Sequence, residues 1–170
     1  MTAGARPVVV LVGPPGAGKS TVAALLGEAL GLEVRDTDSD VEAATGTAIA
    51  DLFVTYGEDR FRALEAEAVA TALAEHRGVL ALGGGAVMRP ATQEALRGHT
   101  VVFLDVGLAE AASRVGLSSS RPLLLGNVRS QMKGLLDSRR PTYEAVATHV
   151  VSTDGRTPSE VAEAVLILLA

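Results

Sequence analysis

The chain has 170 residues, of which 48% are hydrophobic and 21% charged, and its formal net charge is -5. These values fit one compact domain over residues 1–170 with a substantial apolar core, and they exclude global disorder. The acidic balance argues against a protein that coats nucleic acid or a membrane surface. Because cysteine is absent, disulfides, thiolate metal sites and cysteine nucleophiles are excluded.

No segment has the pattern of a membrane span or a secretion signal. The longest uncharged run, residues 7–18, is interrupted by glycine and proline and is too short to cross a bilayer. We therefore expect a cytoplasmic protein without a nucleic-acid or membrane partner. Because the sequence shows no obvious apolar stripe beyond those that the core needs, we expect a monomer.

Short β-branched runs alternate along the chain with longer segments of helical spacing. Strands are predicted over 8–12, 79–82 and 100–104, with weaker candidates at 32–34 and 146–151. Helices are predicted from about Lys19, from a cap at Ser39, around 61–73, and over 159–169 behind Thr157. This alternation predicts right-handed βαβ units, and hence an α/β fold with a parallel sheet.

The segment 115–129 does not fit this alternation. Its sequence, VGLSSSRPLLLGNVR, is small, polar and punctuated by proline and glycine. A loop of this length in a compact domain is either functional or a surface Ω-loop.

A phosphate-binding loop is predicted at residues 13–20. GPPGAGKS matches the pattern G-x-x-x-x-G-K-[ST] at every fixed position, after a strand and before a helix. Successive N–H groups of such a loop hold phosphate oxygens, the lysine reaches the β- and γ-phosphates, and the serine hydroxyl is a ligand of Mg²⁺. The predicted nucleotide-binding residues of this loop are Gly16, Ala17, Gly18, Lys19, Ser20 and Thr21. No N-K-x-D motif occurs, which disfavours a GTPase.

Two aspartates follow the second predicted strand, at Asp36 and Asp38. This is the edge where open α/β sheets bind ligands. In an extended step the two side chains project to the same side. One of them is suited to hold Mg²⁺ through water and the other to accept a hydroxyl proton. Helix capping is the simpler alternative for these residues.

The chain resembles the shikimate kinase family along most of its length. The resemblance rests on GPPGAGKST (13–21), DTD (36–38), IADLFVTYGEDRFRALE (49–65), LGGGAV (82–87), RPLL (121–124) and RRPTYEAVA (139–147). It implies a P-loop NTPase-type fold, like that of nucleoside monophosphate kinases, with a parallel sheet flanked by helices and a mobile lid at about 115–129. It also implies transfer of the γ-phosphoryl group of ATP to the 3-hydroxyl of shikimate, with Mg²⁺ as cofactor.

The resemblance also implies roles for residues on the acceptor side. Arg62 and Arg139 match the arginines that bind the carboxylate, a task for which a planar guanidinium is suited. Asp38 matches the aspartate beside the reacting hydroxyl, and Asp36 matches the residue linked to Mg²⁺ through water. Gly83, Gly84 and Gly85 bring bare backbone against the acceptor. Simpler alternatives are a surface ion pair of Arg62 with Glu65, a strand-to-loop turn at the glycines, and a helix C-terminal pair at Arg139 and Arg140.

On the nucleotide side, the resemblance implies that Arg121 enters from the lid and neutralises charge on the transferring phosphoryl group. Arg114 and Arg156 match arginines around the adenine, where few aromatic residues are available. The predicted catalytic residues are Lys19, Asp38 and Arg121. Another small P-loop kinase, such as one acting on gluconate, and an inactive nucleotide-binding regulator are the competing functions.

Overall fold

A computed structural model describes residues 6–116 and 128–170. Its strands are β1 (Val9–Val12), β2 (Val34–Asp36), β3 (Val79–Ala81), β4 (Val101–Asp105) and β5 (His149–Ser152). Its helices are α1 (Lys19–Leu30), α2 (Thr37–Thr45), α3 (Ile49–Glu75), α4 (Pro90–Ala95), α5 (Leu108–Gly116), α6 (Val128–Val146) and α7 (Pro158–Leu169), with a turn of 3₁₀ helix at Ala86–Met88. The predicted α/β alternation is confirmed.

The five strands form one sheet in the order β2-β3-β1-β4-β5, and every neighbouring pair is parallel. All five carboxyl ends therefore point to the same edge. The phosphate loop leaves that edge after β1, the two aspartates follow β2, and the three glycines follow β3. This order brings three segments that are distant in sequence to one place, as expected for ligand sites of open α/β sheets.

The centre of the sheet is buried on both faces, because helices cover each side. Val9 and Leu11 pack into one apolar cluster, and Val10 and Val12 pack into another. All four residues of β1 are at most 1% exposed. A central parallel strand covered on both faces is expected to be continuously apolar, and this run was the strongest strand signal in the sequence.

The helix predicted around 61–73 is longer, and the first, third and fourth strands differ from their predicted ranges by one residue at one or both ends. Three predicted element starts are wrong by at least two residues. The second strand begins at Val34 rather than Leu32, because the Leu32 N–H closes the end of α1 on the Gly27 carbonyl at 2.9 Å. The helix expected behind a Ser39 cap begins at Thr37, and Asp36 is its cap. The last strand begins at His149, since residues up to 146 belong to α6.

Helix α3 is interrupted at Gly57, whose φ of 81° and ψ of 167° are not helical. This is a region of backbone space that essentially only glycine occupies.

The segment predicted as a lid, 115–129, overlaps two helices at its ends. Residues 115–116 belong to the end of α5, and residues 128–129 belong to the start of α6. Residues 117–127 lie outside the described residues. No helix among the described residues is long and apolar enough to cross a membrane.

Candidate active site

The phosphate loop closes on its own lysine. The Lys19 ammonium donates hydrogen bonds to the carbonyls of Gly13 at 2.6 Å and Pro14 at 3.0 Å. Gly18 lies in the left-handed region, with φ of 85°, and no described side chain caps α1 at this end. The first N–H groups of a helix have no partner inside the helix, and the positive end of its dipole lies there. The loop and the start of α1 are therefore suited to bind phosphate.

Ser20 and Asp36 lie side by side at the edge of this loop. The Ser20 hydroxyl donates to Asp36 Oδ2 at 3.0 Å. Oxygen ligands of this kind suit a hard cation such as Mg²⁺, which commonly keeps waters and substrate phosphates as its remaining ligands. In the part of the chain that the structure describes, no group of three or more carboxylate, histidine or cysteine side chains offers a cage for a metal. The geometry fits a cation shared with a bound nucleotide.

The sequence spacing predicted that the two aspartates project to the same side of an extended strand, and the structure shows that they do not. Asp36 ends β2, and its Oδ1 accepts the Asp38 N–H at 2.9 Å, while Asp38 already lies in α2. The capping alternative therefore holds for one oxygen of Asp36. Capping does not account for Asp38, whose carboxylate lies in the first turn of the helix.

Asp38 lines a cavity of about 310 Å³ that also reaches the phosphate loop and the glycines after β3. The pKa of Asp38 rises from 3.8 to about 6, chiefly because the carboxyl is desolvated and also because Asp36 and Glu65 are close, while Lys19 opposes the shift. A strongly shifted carboxyl in a cleft beside a phosphate loop is typical of a functional group.

The three glycines have no room for side chains. A Cβ on Gly83 would lie 2.6 Å from Asp38 Oδ1, one on Gly84 would lie 2.8 Å from Pro15 Cδ, and one on Gly85 would lie 2.5 Å from Arg62 Nη1. These glycines do form the turn after β3, as the simpler alternative held. They also allow the backbone to approach the functional side chains themselves.

Arg62 is held by a buried partner. Its Nη1 donates to Glu65 Oε1 at 2.8 Å, and the Glu65 side chain is 4% exposed. The Phe53 and Phe61 rings lie 6.0 and 5.3 Å from its guanidinium carbon. A surface ion pair is thus the wrong description, because the carboxylate is buried and the guanidinium faces the glycine backbone.

The two neighbouring arginines of α6 go to different partners. Arg140 donates to Asp105 Oδ1 at 2.7 Å at the end of β4. Burial raises the pKa of the Tyr143 hydroxyl, and the charge of Arg139, one helical turn before it, opposes that rise. Tyr143 donates to the Gly84 carbonyl, so Arg139 lies near the glycine turn after β3.

A second cavity of about 230 Å³ lies on the other side of the phosphate loop. Arg156 lines it together with Thr153 and the loop residues Ala17, Gly18 and Thr21. Arg114 is in α5, but its side chain lies outside the described part of the chain. Arg121 lies outside the described residues altogether.

Several residues of the site were missed or undervalued in the sequence. Tyr143 follows Arg139 by four residues, a spacing that places both on one helix face and that was available as a signal. The Thr37 hydroxyl, between the two aspartates, accepts the Gly83 N–H at 3.2 Å. Pro15 packs on Gly84, a contact without any sequence signal.

Residues 15–170 match the sequence model of a family described as shikimate kinase. A shikimate kinase of Salinispora arenicola is 60% identical over 96% of this chain and 98% of its own length. One of Streptomyces coelicolor is 57% identical over 94% of each chain. Among solved structures, a shikimate kinase from Acinetobacter baumannii in complex with shikimate is 34% identical, with a TM-score of 0.89 over 97% of this chain and 93% of that one. One from Aquifex aeolicus is 30% identical, with a TM-score of 0.83 over 95% of each.

Proposed function

The chain belongs to the shikimate kinase family, and on that premise we propose how its residues transfer the γ-phosphoryl group of ATP to the 3-hydroxyl of shikimate. The observation that carries the proposal is the 310 Å³ cavity, which Lys19, Ser20, Asp38 and the glycine backbone line together. A single cleft thus presents phosphate-binding groups and a carboxylate with a raised pKa.

On the nucleotide side, the N–H groups of residues 16–21 bind the phosphates of ATP. Lys19 exchanges its bonds to the Gly13 and Pro14 carbonyls for the β- and γ-phosphates, where its charge offsets the negative charge of the transition state. Ser20 directly and Asp36 through water would hold Mg²⁺, whose charge would neutralise phosphate oxygens. Arg156 and Arg114 flank the adenine, and Arg121 contacts the transferring phosphoryl group.

On the acceptor side, Arg62 and Arg139 bind the carboxylate of shikimate. Arg62 is already oriented before the ligand binds, because Glu65 Oε1 lies 2.8 Å from its Nη1 and Glu58 Oε1 lies 3.9 Å from its Nε. The Nη2 group is the part of the fork that we assign to the ligand. The backbone of residues 83–85 forms the wall against which the ring lies. A bound ring with its carboxylate fixed at one end presents its hydroxyls at the other end to Asp38.

Asp38 orients the 3-hydroxyl and accepts its proton. A carboxyl with a pKa near 6 is mostly ionised at neutral pH and is more basic than an ordinary aspartate. Because the transition state of phosphoryl transfer is loose, the nucleophile needs little activation, so orientation contributes most and the proton leaves late.

The test is a coupled ADP-release assay with ATP–Mg²⁺ and a panel of shikimate, gluconate and nucleoside monophosphates. We expect turnover with shikimate. Turnover with gluconate alone would contradict the acceptor, and no turnover with any acceptor would favour a nucleotide-binding regulator. Omitting Mg²⁺ should abolish turnover; full activity without a divalent cation would contradict the roles of Ser20 and Asp36. The monomeric state and the cytoplasmic location stay predictions, which sedimentation and cell fractionation would check.

A further inference from the structure

We propose that Tyr143 is a positioning residue of the acceptor site, which holds the Arg139 guanidinium and the Gly84 peptide in the arrangement that receives the carboxylate of shikimate. This inference rests on the proposed function, because the role of Arg139 as a carboxylate ligand is part of it. It adds a residue to which neither the sequence motifs nor the relatives assign a role.

The ring of Tyr143 is fixed by packing. The residue is 1% exposed, and its ring stacks on Phe103 with 5.1 Å between centroids and 28° between planes. Phe103 belongs to β4, which pairs with β1 in the centre of the sheet. The tyrosine ring is therefore packed against the buried centre of the sheet.

The hydroxyl faces two groups of the site. It donates its proton to the Gly84 carbonyl, and the Arg139 guanidinium, one turn earlier on the same helix, is near enough for its charge to oppose the rise in pKa that burial gives the hydroxyl. A tyrosine hydroxyl has one proton to donate and lone pairs to accept with. Because the Gly84 carbonyl can only accept, the hydroxyl donates to it, and its lone pairs stay available to Arg139, whose guanidinium can only donate.

Gly84 also lies close to the phosphate loop, since Pro15 Cδ is 2.8 Å from where a Cβ of Gly84 would be. Tyr143 on α6 and Pro15 on the phosphate loop thus both limit the movement of Gly84. A guanidinium fixed by a buried hydroxyl loses less side-chain freedom when it binds its ligand than an unconstrained one does.

A purely structural role for Tyr143 predicts something different. Phenylalanine would keep the stacking on Phe103 and fill the same space, and it would remove only the hydroxyl. If Tyr143 served the core alone, Tyr143→Phe would be nearly silent in kinetics. If the hydroxyl positions Arg139 and Gly84, the same substitution weakens shikimate binding in a folded protein.

The first experiment measures the steady-state kinetics of Tyr143→Phe. The matched control is Tyr56→Phe, because Tyr56 is 53% exposed. We expect the KM for shikimate to rise about tenfold, the loss typical of one hydrogen bond to a charged group. The KM for ATP should stay near that of the control, and the melting temperature should fall by no more than a few degrees, because the Gly84 carbonyl loses one donor. An unchanged KM for shikimate would overturn the proposal, as would an equal rise in both KM values.

Arg139→Gln separates this inference from the proposed function. If that variant leaves the KM for shikimate unchanged, Arg139 is not a carboxylate ligand and the proposed function fails in this respect. If it raises the KM while Tyr143→Phe does not, only the inference fails. In the double variant we expect the two effects to combine to less than their product, because both act on one interaction.

A spectroscopic measurement reports on Tyr143 directly. The chain has two tyrosines and no tryptophan, so Tyr143 is the sole tyrosine of the Tyr56→Phe variant. When shikimate binds, its carboxylate is expected to pair with the Arg139 guanidinium. The charge near the Tyr143 hydroxyl then changes. We expect a change in near-UV absorbance that saturates with shikimate. A spectrum that shikimate leaves unchanged at saturation would contradict the proposal.

Discussion

Replacing Asp38 by asparagine should have opposite effects on activity and on stability. Asparagine keeps the size and shape of the side chain and removes its charge and its basicity. The raised pKa of Asp38, about 6 instead of 3.8, means that the folded protein disfavours the ionised carboxylate. The substitution should therefore relieve a cost to folding while it removes the group that accepts the proton.

The pKa shift of Asp38 sets the size of the effect on stability. About two pKa units correspond to about 3 kcal/mol, which partial exposure to solvent reduces to about 1–2 kcal/mol. Because the folded pKa is raised, this cost is absent below the unfolded pKa near 4, grows as the pH rises to about 6, and is complete at neutral pH. The melting temperature of Asp38→Asn should rise by about 2–8 °C at pH 7. The kcat should fall by about 10²–10⁴, because the amide neither orients the hydroxyl through a charged hydrogen bond nor accepts its proton.

Thermal unfolding at pH 4 and pH 7 and the coupled ADP-release assay measure both effects, with Asp59→Asn at an exposed position as the control. The affinity for ATP should be nearly unchanged in Asp38→Asn. In the unsubstituted chain, kcat/KM should fall about tenfold between pH 7 and pH 5, because the ionised fraction falls from about 90% to about 10%. A variant that is less stable at pH 7, or that loses its affinity for ATP, would refute the reasoning.

Three further substitutions test other contacts. Arg62→Lys should raise the KM for shikimate while ATP affinity is retained, because lysine keeps the charge but not the planar fork; an unchanged KM would contradict the carboxylate assignment. Gly83→Ala puts a Cβ 2.6 Å from Asp38 Oδ1 and should lower kcat more than it lowers the melting temperature; normal kcat would show that Asp38 can move without loss. Thr157→Ala removes the capping box of α7, in which Thr157 and Glu160 bond each other's N–H groups. It should cost about 1 kcal/mol of stability, seen in thermal unfolding, with an unchanged KM for shikimate; loss of activity would contradict a purely structural cap.

The fold was predictable because its strongest signals are local. A short, continuous, β-branched apolar run such as 9–12, followed by a turn, is typical of a strand covered on both faces, and the loop that follows it has a fixed spacing. The start of α2 was mispredicted because Asp36 and Ser39 are both good caps. What decides between them is the end of β2, where the pairing with β3 stops, and that is a property of the sheet and not of the local sequence.

The site could be predicted where a local motif indicates its chemistry, and less well where the contacts join residues that are distant in sequence. Lys19 and Asp38 were found from spacing and from position after a strand. The burial of Glu65 could not be predicted from the sequence. An arginine and a glutamate three residues apart on a helix have the same sequence spacing whether they lie on the surface or beside a cavity. Tyr143 was undervalued because its partner Gly84 is 59 residues away, and only the packing of α6 against the sheet brings them together.

The ammonium of Lys19, bonded to the Gly13 and Pro14 carbonyls, has a consequence for chemical labelling. Lysine occurs at two positions only, 19 and 133, and Lys133 lies on the exposed surface of α6, bonded to Asp137 at 2.6 Å. An acylating reagent thus meets two ε-amines, one at the phosphate loop and one remote from it. The ratio of the two modified peptides in a mass spectrum measures the occupancy of the phosphate loop, with Lys133 as the internal standard.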